Sequence, residues 1–321
     1  MGMKGDAYEL TQAVKQLAKH QGAVLVGVAS IERFDPQPPF YDAPPVGHGP
    51  RDYEPEAKSM ISIAQPVLTG VMEAPAAMLD KEVEMVAPDA RHAYYETLYS
   101  ITGHRLQDFM LEQIAHVVGQ YLQLQGYRAM FFPTAGIHPV LPNMTQRETE
   151  EGPSQKWAET HLTYKSRKQP FRASFGPFSH RHAAVRAGLG EFGYNNIVLT
   201  KEFGPRQRFN TIVTDAKLVP DPLITEPICL RDKCTICQKA CPMGAITLRD
   251  KADKNRIFID TPAITDPMLC NHRRERAMYP KACFYGDCNR ICPIGKPKYL
   301  SNRLRAILED WRQEGKNRAS T

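Results

Sequence analysis

"CTICQKACPMGAI" runs from residue 234 to residue 246 and sets Cys234, Cys237 and Cys241 close together, the last followed by proline. A fourth cysteine, Cys229, stands just upstream. All eight cysteines of the chain lie between Cys229 and Cys292. A secreted disulfide protein spreads its cysteines through its loops. Crowding of this kind, in a chain with no secretory signal, reads as metal or cluster ligation. Further along, "CFYGDCNRICPIG" (283–295) repeats the same ending, Cys-x3-Cys-Pro-x-Gly.

Two-cluster ferredoxins use paired runs of this sort, the Cys-Pro cysteine of each run reaching the other run's cluster. Closely spaced cysteines wrap a loop around one face of a cubane and aim backbone N–H groups at its sulfides. The x3 spacing is expected to set the last cysteine at a helix start, facing away. Proline then takes a first helical position, where its missing N–H is not needed. The spacing departs from the simplest ferredoxin pattern: four residues separate Cys229 from Cys234, and four separate Cys283 from Cys288. Cys270 is the remaining cysteine and completes the count. The expected ligand sets are Cys229, Cys234, Cys237 and Cys292 for one [4Fe–4S] cluster, and Cys241, Cys270, Cys283 and Cys288 for the other. Zinc ribbons also pair cysteines at x2 spacing. They rarely use two Cys-x3-Cys-Pro runs, and eight ligands would call for two zinc ions.

The 321 residues suit one large domain or two smaller ones, and 42% hydrophobic content is enough for an ordinary core. No apolar run is long enough to cross a membrane. The start, "MGMKGDAYELTQAVKQLAKHQG", has neither a signal-peptide apolar region nor twin arginines, so a cytoplasmic location is expected. A net charge of +6 permits an acidic partner without requiring one. No dinucleotide fingerprint or P-loop is present.

Upstream of the cysteines, helix and strand patterns alternate. Residues 7–21 carry Leu10, Val14, Leu17 and Ala18 on one helical face, with Gly22 as the stop. "AVLVGVA" (23–29) and "SMISIAQPV" (59–67) read as strands, on either side of a Pro- and Gly-rich loop at 35–55. A long helix is expected from about 91 to 125, then the strand "YRAMFF" (127–132). A polar segment spans about 137–179. A short helix covers 180–190, followed by two strands, "NNIVLT" and "RFNTIVTDA". A charged helix, "YLSNRLRAILEDWRQEG", follows the cysteines. Such alternation predicts an α/β layered core. Gly188, Gly190, Gly193 and Gly204 punctuate the stretch 180–221 and permit close approach of backbone to a flat or bulky ligand. They serve equally well as turn glycines between short strands.

"RHAAVRAGLGEFGYNN", "FGPRQRFNTIVTDAKLVPD" and the double-cluster module together resemble the family of epoxyqueuosine reductases and reductive dehalogenases. The resemblance covers about 90–321 with its motifs. It implies an α+β protein with a nitroreductase-like α/β domain that binds cobalamin and substrate over 1–220. A ferredoxin-like domain with two [4Fe–4S] clusters over 221–300 would feed it electrons, and a C-terminal helix would occupy 301–321. Gly188, Gly190, Gly193 and Arg206 are the implied corrinoid contacts. In epoxyqueuosine reductases an aspartate donates the proton; Ala93 of "RHAYYE" (91–96) stands at that place here. Dehalogenases use a tyrosine, and Tyr94 and Tyr95 sit beside the vacated position. A nearby cation such as Arg91, His92, Arg181 or Arg206 would lower a phenol's pKa. The segment 137–179 would form a lid over the cofactor. The function implied is a reductase passing electrons from ferredoxin or flavodoxin through the clusters to the corrinoid, which reduces a small electrophilic molecule. Two alternatives are an electron-transfer protein without corrinoid and a tRNA epoxyqueuosine reductase.

Overall fold

The computed structural model describes residues 6–35, 49–73, 102–103, 106–134, 178–248, 257–265 and 286–319. The chain divides into two compact units. One comprises Met1–Gln65, Asp108–Leu189 and Phe209–Leu223; the other comprises Pro66–Gln107, Gly190–Arg208 and Ile224–Thr321.

The first unit is built on a four-stranded sheet in the order β1-β2-β6-β3. Its strands are β1 (Leu25–Ser30), β2 (Ser59–Pro66), β3 (Ala129–Phe131) and β6 (Gln207–Thr214). Strand β1 runs antiparallel to β2, with Val28 opposite Ile61, and β3 runs antiparallel to β6, with Met130 opposite Val213. The central strands β2 and β6 are buried nearly throughout, as expected of strands covered on both faces. Side chains alternate across the sheet. Val28, Ile61, Ile63 and Ile212 face a core formed with helices α1 (Ala7–His20) and α3 (Leu106–Leu124). Ala29, Met60 and Val213 face another core, with Ala183 of α4 (His180–Arg186) and the aromatics Phe34, Phe132 and Phe178. A one-turn helix α2 (Pro50–Tyr53) precedes β2. Each fully buried aliphatic side chain contributes roughly 1.5–3 kcal/mol, so these two layers set the unit's stability.

The chain makes α1 for local reasons. Asp6 caps its start by accepting the Tyr8 N–H at 3.3 Å, and Leu10, Val14 and Ala18 form its buried stripe. Gly22, at φ +106°, lets the chain turn back so that Ala23 N–H reaches the Ala18 carbonyl at 2.9 Å.

The second unit contains the hairpin β4 (Glu191–Phe192) and β5 (Val198–Leu199), the short helices α5 (Ile236–Ala240) and α6 (Asp287–Arg290), the pair β7 (Ile246–Leu248) and β8 (Ala263–Thr265), and helix α7 (Asn302–Ala319). Helix α5 packs against both α6 and α7. The strand expected at 195–200 is shorter than its pattern, because Asn196 adopts φ +61° and closes the hairpin turn with Asn196 N–H donating to the Gly193 carbonyl at 2.8 Å. The expected helix starts after the two Cys-Pro pairs divide. Pro293 does open a 3-10 turn after Cys292. Cys241 instead closes α5: Gly244, at φ +59°, turns the chain back, and the Ala245 N–H donates to Cys241 Sγ at 3.3 Å.

Candidate metal centre

Cys229, Cys234, Cys237 and Cys292 line one cavity, walled by Tyr194, Leu199, Ile236 and Ile294. Three of these cysteines come from one run and the fourth from the other, brought together by the packing of α5 against α6. Their sulfurs face main-chain donors. Nearby main-chain N–H groups favour the charged form of each: Tyr194 and Arg231 at Cys229, Ile236 at Cys234, Gln238 at Cys237, and Ile294 and Gly295 at Cys292. Burial pushes all four thiols up, Cys292 to about 12; neighbouring sulfurs add to the rise at Cys234, Cys237 and Cys292, and Glu191 adds to it at Cys229. Four thiols so placed carry little charge by themselves. A bound cationic metal core would favour their thiolate form.

The arrangement bears on which metal fits. One zinc ion draws its thiolates to about 2.3 Å. Among the described residues, no group of three or more His, Cys, Asp or Glu side chains is gathered closely enough for a single ion. Four cysteines on one cavity lining are a donor set able to hold a metal centre. Apolar neighbours complete the fit: Cys292 and Cys229 pack with Leu199, Ile224, Ile228 and Ile294, and Cys234 with Ile236, Ile291 and Leu304. Such a shell controls water access and local dielectric.

Of the second expected ligand set, Cys241 at the end of α5 and Cys288 within α6 are described and lie on two helices that pack together. Cys270 and Cys283 lie outside the described residues, as do Arg91, His92, Ala93, Tyr94, Tyr95 and the expected lid but for its last residues. Phe178, near the end of that segment, instead stacks on Phe132 at 4.3 Å between ring centres.

Gly188, Gly190, Gly193 and Arg206 each lie close against other parts of the chain. A Cβ on Gly188, which sits at φ +75°, would come within 2.1 Å of the Pro222 carbonyl oxygen, and one on Gly190 within 2.1 Å of the Leu199 carbonyl oxygen. Gly193 is hemmed in by Asn195 and Leu199 in the same way. The close approach that glycine allows is of the chain to itself. Arg206 is buried, with Nη1 on Glu73 at 2.9 Å and Nη2 on the Arg290 carbonyl at 3.2 Å. Glu73 also accepts the N–H groups of Lys298 and Tyr299, so the pair braces the segment on both sides of Cys292.

Glu191 escaped the sequence reading. It is fully buried, and its Oε1 accepts the N–H groups of Ile228 at 2.6 Å and Cys229 at 2.5 Å. Its Oε2 accepts from Phe258 N–H at 3.1 Å and Arg231 Nη2 at 3.2 Å. The available signal was a carboxylate set between glycine and phenylalanine in "GLGEFG", an anion in a stretch otherwise fit for burial. Tyr194 is also tied down: its hydroxyl donates to Asp232 at 2.8 Å, and burial first, then Asp232, push its pKa up.

No family model matches the chain. Among curated proteins, the chain is 43% identical over 67 residues to a tetrachloroethene reductive dehalogenase of Desulfitobacterium hafniense, covering 20% of this chain and 12% of that protein. It is 30% identical over 125 residues to an epoxyqueuosine reductase of Bacillus subtilis (strain 168), covering 38% of this chain and 31% of that protein. The matches thus span less than a third of either relative. A solved catabolic reductive dehalogenase, in complex with 3-bromo-4-hydroxybenzoic acid, superposes on 97% of this chain and 35% of its own with a TM-score of 0.56 at 19% identity. That likeness shows a shared mixed helix-and-sheet fold.

Proposed function

We propose, from the premise that this chain is a divergent relative of the reductive dehalogenases and the epoxyqueuosine reductases, that it is an iron–sulfur reductase acting on a small electrophilic substrate. The observation that carries this reading is the convergence of Cys229, Cys234, Cys237 and Cys292 on one apolar cavity. Those four residues would hold one [4Fe–4S] cluster, and Cys241, Cys270, Cys283 and Cys288 a second. Bound clusters supply one-electron transfer. The chain's own part is to donate N–H groups to the sulfurs, which stabilises the added electron, and to keep water off with Leu199, Ile228 and Ile236. Ferredoxin or flavodoxin is the proposed donor. A corrinoid as the electron's destination is supported by the family relationship, with Gly188, Gly190, Gly193 and Arg206 as its proposed contacts. Tyr94 or Tyr95 is the proposed proton donor, from the resemblance alone.

A second reading is an electron-transfer protein without corrinoid. The test is metal analysis of anaerobically prepared full-length chain, desalted after incubation with cobalamin. Iron at about eight per chain, the content of two [4Fe–4S] clusters, with retained cobalt, is the result expected of the reductase. Iron without cobalt selects the electron-transfer reading. Zinc without iron overturns both.

A further inference from the structure

Each acceptor position of the Glu191 carboxylate is taken by a donor, and one of those donors is the main chain of Cys229 itself. The cation in the set, Arg231, lies two residues beyond Cys229, at φ +55°, with its guanidinium 4.5 Å from the Phe258 ring centre. A neutral amide would not serve equally: it offers one acceptor oxygen, and its NH2 would face further donors. The hairpin turn that follows Glu191 also brings the Tyr194 main chain near Cys229, where its N–H favours the charged sulfur. One short strand thus grips the ligand's backbone and its sulfur.

We infer that Glu191 and Arg231 are positioning residues that work as an opposed charge pair on the cluster of Cys229, Cys234, Cys237 and Cys292. Glu191 holds the Cys229 backbone and disfavours electron uptake; Arg231 offsets that effect. The inference rests on the cluster reading given above. Its physical basis is that a buried anion acts through a water-poor surrounding, where its field is weakly screened, and that local charge is among the quantities that set a cluster's reduction potential. Glu191 is fully buried, whereas the Arg231 side chain is 12% exposed. The carboxylate's influence is therefore the less screened of the two.

The test is an anaerobic redox titration of the full-length chain, followed by electron paramagnetic resonance, with iron counted in each sample. Glu191→Gln is expected to shift one of two midpoint potentials upward and Arg231→Gln to shift the same one downward, while Glu191→Gln/Arg231→Gln returns close to wild type. If Glu191→Gln fails to retain iron, the downward shift in Arg231→Gln still decides the matter. A purely structural role would lower iron content and leave the potential of the remaining cluster where it was; that result overturns the inference alone. Wild-type chain with no iron–sulfur signal overturns the cluster reading and this inference together.

Discussion

Arg206 and Glu73 are 3% and 4% exposed, and together they tie three backbone groups near Cys292. Removing one member of such a pair strands a buried charge, at about 3–5 kcal/mol. Arg206→Met is therefore expected to lower unfolding stability by that order, read by urea denaturation of the anaerobic protein. Arg206→Met/Glu73→Gln should recover part of the loss, because the amide oxygen still accepts one N–H without an unpaired charge. Gly188 offers a second test at this scale. Its left-handed backbone and the Pro222 carbonyl on its Cβ side make Gly188→Ala costly, by about 1–3 kcal/mol for the backbone conformation alone. The loss is read as a lowered midpoint in a thermal melt taken without cobalamin.

At the scale of elements, α7 shows how the cysteine module is supported. Leu300, Leu304 and Leu308 recur every four residues, enter the core that holds Cys234 and Ile236, and are joined by Trp311, whose Nε1 donates to the Lys233 carbonyl at 2.7 Å. Arg303 reaches the Ala240 carbonyl at the end of α5 and the Asp287 carboxylate at the start of α6. Leu304→Ala should cost about 2–5 kcal/mol as a buried truncation and reduce iron per chain after gel filtration. Leu124→Ala, at a residue 84% exposed, should change stability by no more than about 0.5 kcal/mol.

Elements with a strong local period were legible in the sequence: α1 from its stripe and glycine stop, β2 and β6 from their apolar runs, and α7 from its four-residue spacing. The grouping of Cys292 with Cys229, Cys234 and Cys237 could be read from the repeated Cys-Pro runs. What escaped depended on partners distant in the chain. Nothing near Glu191 announces that it will meet Ile228, Arg231 and Phe258, and nothing near Arg206 announces Glu73. The Cys241 turn was missed because a glycine three residues on overrode the helix-start pattern.

For the molecule as a whole, each unit has its own core, and the cysteines belong to those of the second. Stripping iron with a chelator under reducing, anaerobic conditions should therefore raise amide exchange in 190–208, 228–241 and 287–295. Exchange in β1, β2 and α1 should hold at its original rate, since α1 and the sheet bury Val14, Val28 and Ile61 without help from any thiol. Uniform loosening of both regions would contradict the separation of cores.

The polypeptide passes between its two units five times on the way from Met1 to Thr321. A gene arranged in this manner offers no breakpoint at which recombination could trade one half for a stranger's. Any single cut along the sequence divides at least one of the two, so a fragment ending there carries an incomplete core.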